Sequence, residues 1–155
     1  MALVYFLIGQ GFLFPQECRY IQQENLMNPR IQIVHDLVKN HRFEYQLEEL
    51  GEDYWKAPYE TERDGGGDCE DLSIWLLYEL RRMNYDVWAV IGEEGAWSHM
   101  WLRVRIHING KPYVFDVDMT EGFMLPAYEI IPTPMMAFIK FQELDERQKA
   151  YEQGE

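Results

Sequence analysis

The chain has 155 residues, 47% of them hydrophobic and 15% aromatic, which suits one domain with a packed core and excludes a disordered tail. Fourteen basic residues against 27 acidic ones give a formal net charge of −13, which argues against nucleic acid or an anionic membrane surface as a partner. The two cysteines, Cys18 and Cys69, sit in dissimilar contexts and read as free thiols in a reducing compartment.

Met1 to Phe14 is mostly apolar and reads as a buried N-terminal strand or helix. It has no positive leader region, since the first basic residue is Arg19, no small-residue cleavage site follows, and it is too short to span a bilayer. That points to a cytoplasmic protein with no membrane insertion, or to the periplasm if a leader has been removed. Asn28-Pro29 reads as the cap and first residue of a helix running to about Asn40, with Ile31, Val34, Leu37 and Val38 on one face. Residues 43–64 are polar and aromatic and read as a helix remnant followed by a loop.

Gly65-Gly66-Gly67 marks a sharp turn, and an apolar helical pattern starts directly after it and continues to about Asn84. Asp68 is the cap, with Asp71 at the third helical position. Leu72, Leu76, Leu80 and Met83 continue the line of Cys69, while Ile74, Trp75, Leu77 and Tyr78 make the other faces apolar too. A helix apolar nearly all round is buried, so Cys69 heads a central helix. Val87 to Ile91 is a short strand. His99 to Ile108 alternates cleanly, Asn109-Gly110 is a hairpin turn, and Pro112 to Asp118 returns. After a tail with three prolines, a helix is expected from Pro134 to about Tyr151. The order predicts one α+β domain over residues 1–155, with a central buried helix packed on an antiparallel sheet.

Cys69 at a helix N-terminus stands where backbone N–H groups and the helix dipole favour a thiolate. A cysteine nucleophile needs a base and a group that orients the base. His99 and Asp116 are the candidates, with Asp118 on the same strand face as the alternative orienter. A two-residue turn pairs Ile108 with Lys111 and sets Asp116 opposite Arg103, four residues or roughly 13 Å from His99. A bulge, a strong twist or a different turn must close that gap. The Cys69 backbone N–H is a candidate oxyanion donor. Trp55 or Tyr59 could add a second donor or a substrate wall, and Trp97 and Trp101 flank His99 and could shape the cleft. His107 near the hairpin tip reads as solvated, and His35 and His41 as surface residues.

Asp68, Glu70 and Asp71 surround the thiol with negative charge, which opposes its ionisation. Either they serve as caps, or a cation neutralises them. The hard cation suited to carboxylates and backbone carbonyls is calcium, with Asp68 and Glu70 as its candidate ligands.

Tyr54-Trp55-Lys56-Ala57-Pro58-Tyr59-Glu60-Thr61, the glycine run and Asp68-Cys69-Glu70-Asp71, followed by His99 at a strand start and Tyr113-Val114-Phe115-Asp116 on the next strand, resemble the bacterial transglutaminase-like cysteine proteinases. The resemblance covers about residues 50–120. It implies a papain-like core and a triad of Cys69 as nucleophile, His99 as base and acid, and Asp116 as orienter. It also implies calcium on Asp68 and Glu70 and a protein or peptide substrate. The expected activity is thiol-dependent acyl transfer, ending in peptide hydrolysis with water or in transamidation with an amine acceptor. A non-catalytic binding or assembly module on the same fold is the competing reading. A Cys-His metal site is disfavoured, because no CxxC or HxxxH spacing is present.

Overall fold

The computed structural model describes residues 27–48, 53–94, 97–126 and 135–154. The expectations for Met1 to Phe14 and for Cys18 lie outside these residues. Helix α1 is Pro29–Asn40, and its cap is the expected one: Asn28 Oδ1 accepts from the Arg30 N–H at 3.0 Å. Its buried line is Ile31, Val34 and Val38. Strand β1, Glu44–Tyr45, helix α2, Pro58–Asp64, and strand β2, Gly66–Gly67, follow. The expected loop at 43–64 therefore ends in a short helix. Its first turn starts at Pro58, which needs no hydrogen-bond donor there, and Glu60 Oε2 accepts from the Ala57 N–H at 2.7 Å.

Helix α3, Cys69–Arg82, is the centre of the domain. Leu72, Ile74, Leu76, Leu77 and Leu80 are buried around it, as a helix apolar on most faces requires. It lies against a four-stranded sheet ordered β3-β4-β5-β6, with β3 at Asp86–Glu94, β4 at Trp97–Ile108, β5 at Lys111–Asp118 and β6 at Phe123–Pro126. All neighbouring strands in it are antiparallel. Met100, Leu102, Val104, Ile106 and Ile108, the expected apolar face of β4, are all buried. Strand β6 falls in the tail, where the sequence shows no alternation strong enough to mark it. Helix α4, Met135–Gln153, closes the order and packs on α2.

The β4–β5 turn has the geometry expected of Asn-Gly: Asn109 and Gly110 have φ of 52° and 78°. Ile108 pairs with Lys111, and Arg103 pairs with Asp116. The architecture is α+β with an antiparallel sheet and four helices among the described residues. No described helix is long and apolar enough to cross a membrane.

Candidate active site

The thiol is positioned by the turn in front of it, and each glycine of that turn has its own reason. Gly65 ends α2 in the left-handed region at φ 73°, where a side chain would be strained. Gly66 runs beside β1 so closely that a Cβ would lie 2.0 Å from the Glu44 carbonyl oxygen. On Gly67 a Cβ would lie 2.3 Å from Asp71 Oδ2. β1 and β2 pair in parallel through Glu44 N–H to Gly65 O at 3.0 Å and Gln46 N–H to Gly67 O at 2.9 Å.

The caps close the first turn of α3. Asp68 Oδ1 accepts from the Asp71 N–H at 3.3 Å, and Asp71 Oδ2 accepts from the Asp68 N–H at 3.4 Å. Asp71 is fully buried and also accepts from the Lys56 N–H at 2.8 Å through Oδ1. Lys56 Nζ donates to the Gly66 carbonyl at 3.0 Å and lies 3.8 Å from Asp71 Oδ2. The Tyr54–Pro58 stretch is thus a clamp on the glycine turn. Glu60 extends it by accepting from Tyr54 Oη and from Arg147 Nη1, each at 2.7 Å, which ties α2 to α4.

Two of the expected substrate-wall residues belong to that scaffold. The Trp55 indole N–H donates to Asp53 Oδ1 at 3.1 Å, and its ring meets Phe141 edge-on at 5.6 Å. Its donor is therefore committed. Tyr59 stacks on Tyr151 with centroids 4.3 Å apart. Trp101 does lie at the site: its ring stacks on His99 with centroids 6.1 Å apart and covers Gly92, where a Cβ would lie 2.7 Å from the indole. The Trp97 side chain lies outside the described residues.

Of the two candidate orienters, Asp116 does not reach His99 and Asp118 does. Asp116 is held by Arg103 in a two-point pair, Nε to Oδ1 at 2.8 Å and Nη2 to Oδ2 at 3.0 Å, as its register dictates. The carboxylate on His99 is Asp118, with Nε2 to Oδ2 at 2.5 Å. Two residues further along β5, Asp118 lies diagonally from His99 on the same face, within reach of the ring. The ~13 Å gap of the Asp116 arrangement needs no bulge, because Asp116 is not the residue that spans it. The other Asp118 oxygen accepts from the Glu121 N–H at 3.0 Å, so the carboxylate is fixed from both sides. Asp118 holds the His99 pKa above its ordinary 6.5, against the opposing effect of burial, with Glu121 and Glu70 adding to the rise.

The strand that carries His99 is tied to α3 through Met100. One turn along α3 from Cys69, the Ser73 hydroxyl donates to the Met100 carbonyl at 3.0 Å. The start of α3 is thereby fastened to the strand position next to His99. The thiol itself donates to Glu70 Oε2 at 2.8 Å. Burial first, and the Glu70 carboxylate second, push the Cys69 pKa up to about 12. The helix N-terminus alone would lower it, so here burial and the adjacent acid outweigh the dipole.

Asp68 is pushed up to about 7 by burial and by the charges of Glu70 and Asp71. Of the two readings weighed from sequence, the structure shows the first: Asp68 and Asp71 cap the helix. These are hard oxygen donors in a field that favours a cation, which fits calcium. Among the described residues no three His, Cys, Asp or Glu side chains gather around one metal position, so backbone carbonyls and water would supply further ligands to Asp68 and Glu70.

Tyr45 is a site residue that sequence reasoning missed. Burial raises its pKa first, and then the charges of Cys69, Asp68, Glu70 and Asp118 do, so its phenol is within electrostatic range of them. It lies on a two-residue strand with no periodicity to mark it.

Neither a protein-family model nor a curated protein matches the sequence. Among solved structures, calcium-bound LapG from Legionella pneumophila aligns at 25% identity with a TM-score of 0.51, covering 67% of this chain and 62% of that one. The EGTA-treated form of the same protein aligns at 25% identity with a TM-score of 0.52, covering 67% and 60%. The chain thus spans about three fifths of the length of these neighbours. With the motif around Cys69 and the α+β order already in place, the chain is similar in fold to LapG, a transglutaminase-like cysteine protease.

Proposed function

We propose that this protein is a cysteine peptidase that works by acyl transfer, with Cys69 as nucleophile, His99 as base and acid, and Asp118 as orienter. The observation that carries this reading is the 2.5 Å contact from Asp118 to His99 Nε2, at the strand position fastened to the thiol-bearing turn. With Nε2 committed to Asp118, Nδ1 is the nitrogen left to exchange a proton with the thiol. Sγ attacks a peptide carbonyl as its proton passes to His99. The imidazolium returns that proton to the departing amine, leaving a thioester. A water molecule, deprotonated by His99, then attacks the thioester, and the acid product and free thiol are released. The Cys69 backbone N–H at the start of α3 is a donor to the developing oxyanion. An amine in place of water would give transamidation with the same residues.

At rest the thiol is protonated and bonded to Glu70. Attack therefore requires Glu70 to release it. Calcium, when bound by Asp68 and Glu70, supplies positive charge to a cluster that lacks it. Two LapG structures, described as calcium-bound and EGTA-treated, support calcium as the ion to test.

The test is to incubate the purified protein with a mixture of peptides, with calcium or with EGTA, and to identify new termini by mass spectrometry. Cleavage by the wild type and none by Cys69→Ala is expected. Equal products from both proteins would remove Cys69 from the reaction. The high thiol pKa favours a second reading, a binding module that keeps the fold without turnover. Peptide capture without any thiol-dependent product, with or without calcium, would select it.

A further inference from the structure

Gly92 lies within β3, and its backbone gives no reason for a glycine there. Its φ is outside the left-handed region, unlike that of Gly65 or Gly110. Glycine inside a strand weakens it and often marks the close approach of another group. That group is Trp101. A Cβ on Gly92 would lie 2.7 Å from both Cη2 and Cζ3 of the indole, and apart from its chain neighbours it would meet no other described atom within 4 Å.

Gly92 pairs with His99 across the sheet, and Val90 with Trp101. Side chains two residues apart share a strand face, so His99 and Trp101 project from one face of β4, and a side chain at position 92 would stand on that face too. The outer ring of the Trp101 indole therefore takes the place, directly across from His99, that a side chain at 92 would fill. The two rings are stacked, with their planes 22° apart. In the sheet β4 lies between β3 and β5. His99 is thus met by an aromatic ring on its β3 side and by the Asp118 carboxylate on its β5 side.

The carboxylate alone does not fix the imidazole. One hydrogen bond at Nε2 leaves the ring free to pivot about the line from Nε2 to Oδ2, and the second side-chain torsion of histidine has only broad, two-fold preferences. Close packing on all sides does not supply the restraint either, because the His99 side chain is 39% exposed. A flat neighbour against the ring does supply it.

We propose that Trp101 is a positioning residue for His99: its indole, admitted by the missing side chain of Gly92, holds the plane of the imidazole so that Nδ1 is presented to the thiol while Nε2 stays on Asp118. The inference rests on the peptidase reading for the purpose of this hold, but the hold itself can be measured without turnover.

The experiment compares the wild type with Trp101→Leu, Gly92→Ala and the double variant, with folding checked by thermal unfolding. The methyl of Gly92→Ala meets only the far end of a side chain, so the indole should swing off His99 while the domain stays folded. At one fixed pH, the NMR resonances of the His99 ring protons should move in both single variants, because the ring current of the indole is lost. Adding Gly92→Ala to Trp101→Leu should move them no further, since the two changes act through one contact. Peptide turnover should show kcat lowered by roughly ten- to a hundredfold in each single variant with KM unchanged, because a misplaced base slows the chemical step and not binding. Resonances unmoved in either single variant, or moved further in the double variant, overturn the hold whether or not any peptide is cut. An unchanged kcat, with or without a raised KM, overturns the positioning role while leaving the peptidase reading in place. If the wild type cuts no peptide, the peptidase reading fails and the resonances alone decide the hold.

Discussion

Asp118 holds the ring of His99 at 2.5 Å, while Asp116, two residues earlier on the same face of β5, is bound at two points by Arg103. These like residues therefore have different tasks, and substitution separates them. Asp118→Asn should leave the domain folded and lower kcat/KM by on the order of 10²–10³, because the ring loses the anion that fixes it and stabilises its charged form. Asp116→Asn should instead act on stability. Arg103 is only 3% exposed, and its carboxylate partner is one-fifth exposed, so the loss should be on the order of 2–3 kcal/mol, toward the low side for a broken buried pair. Thermal unfolding and peptide turnover measured on both variants decide this. A turnover defect confined to Asp116→Asn would reverse the assignment.

The same contact sets the charge of His99. Its pKa is raised above 6.5 mainly by Asp118, so Asp118→Asn should move the ring's titration midpoint downward in an NMR pH series. The sign for stability follows. In the folded protein the ring keeps its proton to a higher pH than in the unfolded chain. The stabilisation from the pair is therefore complete below the unfolded value of about 6.5 and is lost as the pH rises through the folded value. The difference in melting temperature between wild type and Asp118→Asn should shrink from pH 5 to pH 9. A constant difference across that range would mean that the proton is not linked to folding.

Cys69 should be slow to alkylate in the isolated protein. Its pKa is pushed up to about 12 by burial and by Glu70, so little thiolate exists at neutral pH. Glu70→Gln removes the charge and the strongest acceptor, and should raise the rate of iodoacetamide labelling at pH 8 by roughly tenfold for each pKa unit recovered. Labelling followed by intact mass gives the rate directly. An unchanged rate would show that burial alone sets the thiol.

The glycine turn should tolerate no side chain at its second and third positions. Gly67→Ala drives a methyl into the Asp71 carboxylate, and Gly66→Ala into the β1 backbone. Each should cost about 1–3 kcal/mol of stability, in the range for overpacking a filled site. Because Asp71 closes the first turn of α3, Gly67→Ala should also reduce thiol-dependent turnover of the folded fraction. Paired urea unfolding and activity measurements check both effects, and a fully stable Gly66→Ala would contradict the close approach of β1.

Much of the fold is legible in the residues because it rests on local rules. Asn28-Pro29 marks the start of α1, the Asp68–Asp71 pair marks the start of α3, and Asn109-Gly110 sets the β4–β5 register. Helix α2 and strand β1 are less legible. They are short, and what holds them is a set of distant partners: Lys56 on Asp71, Arg147 on Glu60, and the glycine backbone on Glu44. The same applies to Trp55 and Tyr59, whose aromatic character suggests a substrate wall but whose rings are taken by Phe141 and Tyr151 on α4.

The sequence by itself determined the thiol at the head of a buried helix, the histidine at the start of a strand, and a register that sets Asp116 against Arg103. Spacing and turn chemistry are enough for these, since each depends on residues close along the chain. Only the tertiary structure decided that Asp118 meets the ring and that Glu70 accepts the thiol's hydrogen bond. The physical reason is that these outcomes depend on side-chain reach and burial across separate elements. A diagonal contact across strands and the balance of desolvation against a helix dipole have no periodicity to leave in the chain.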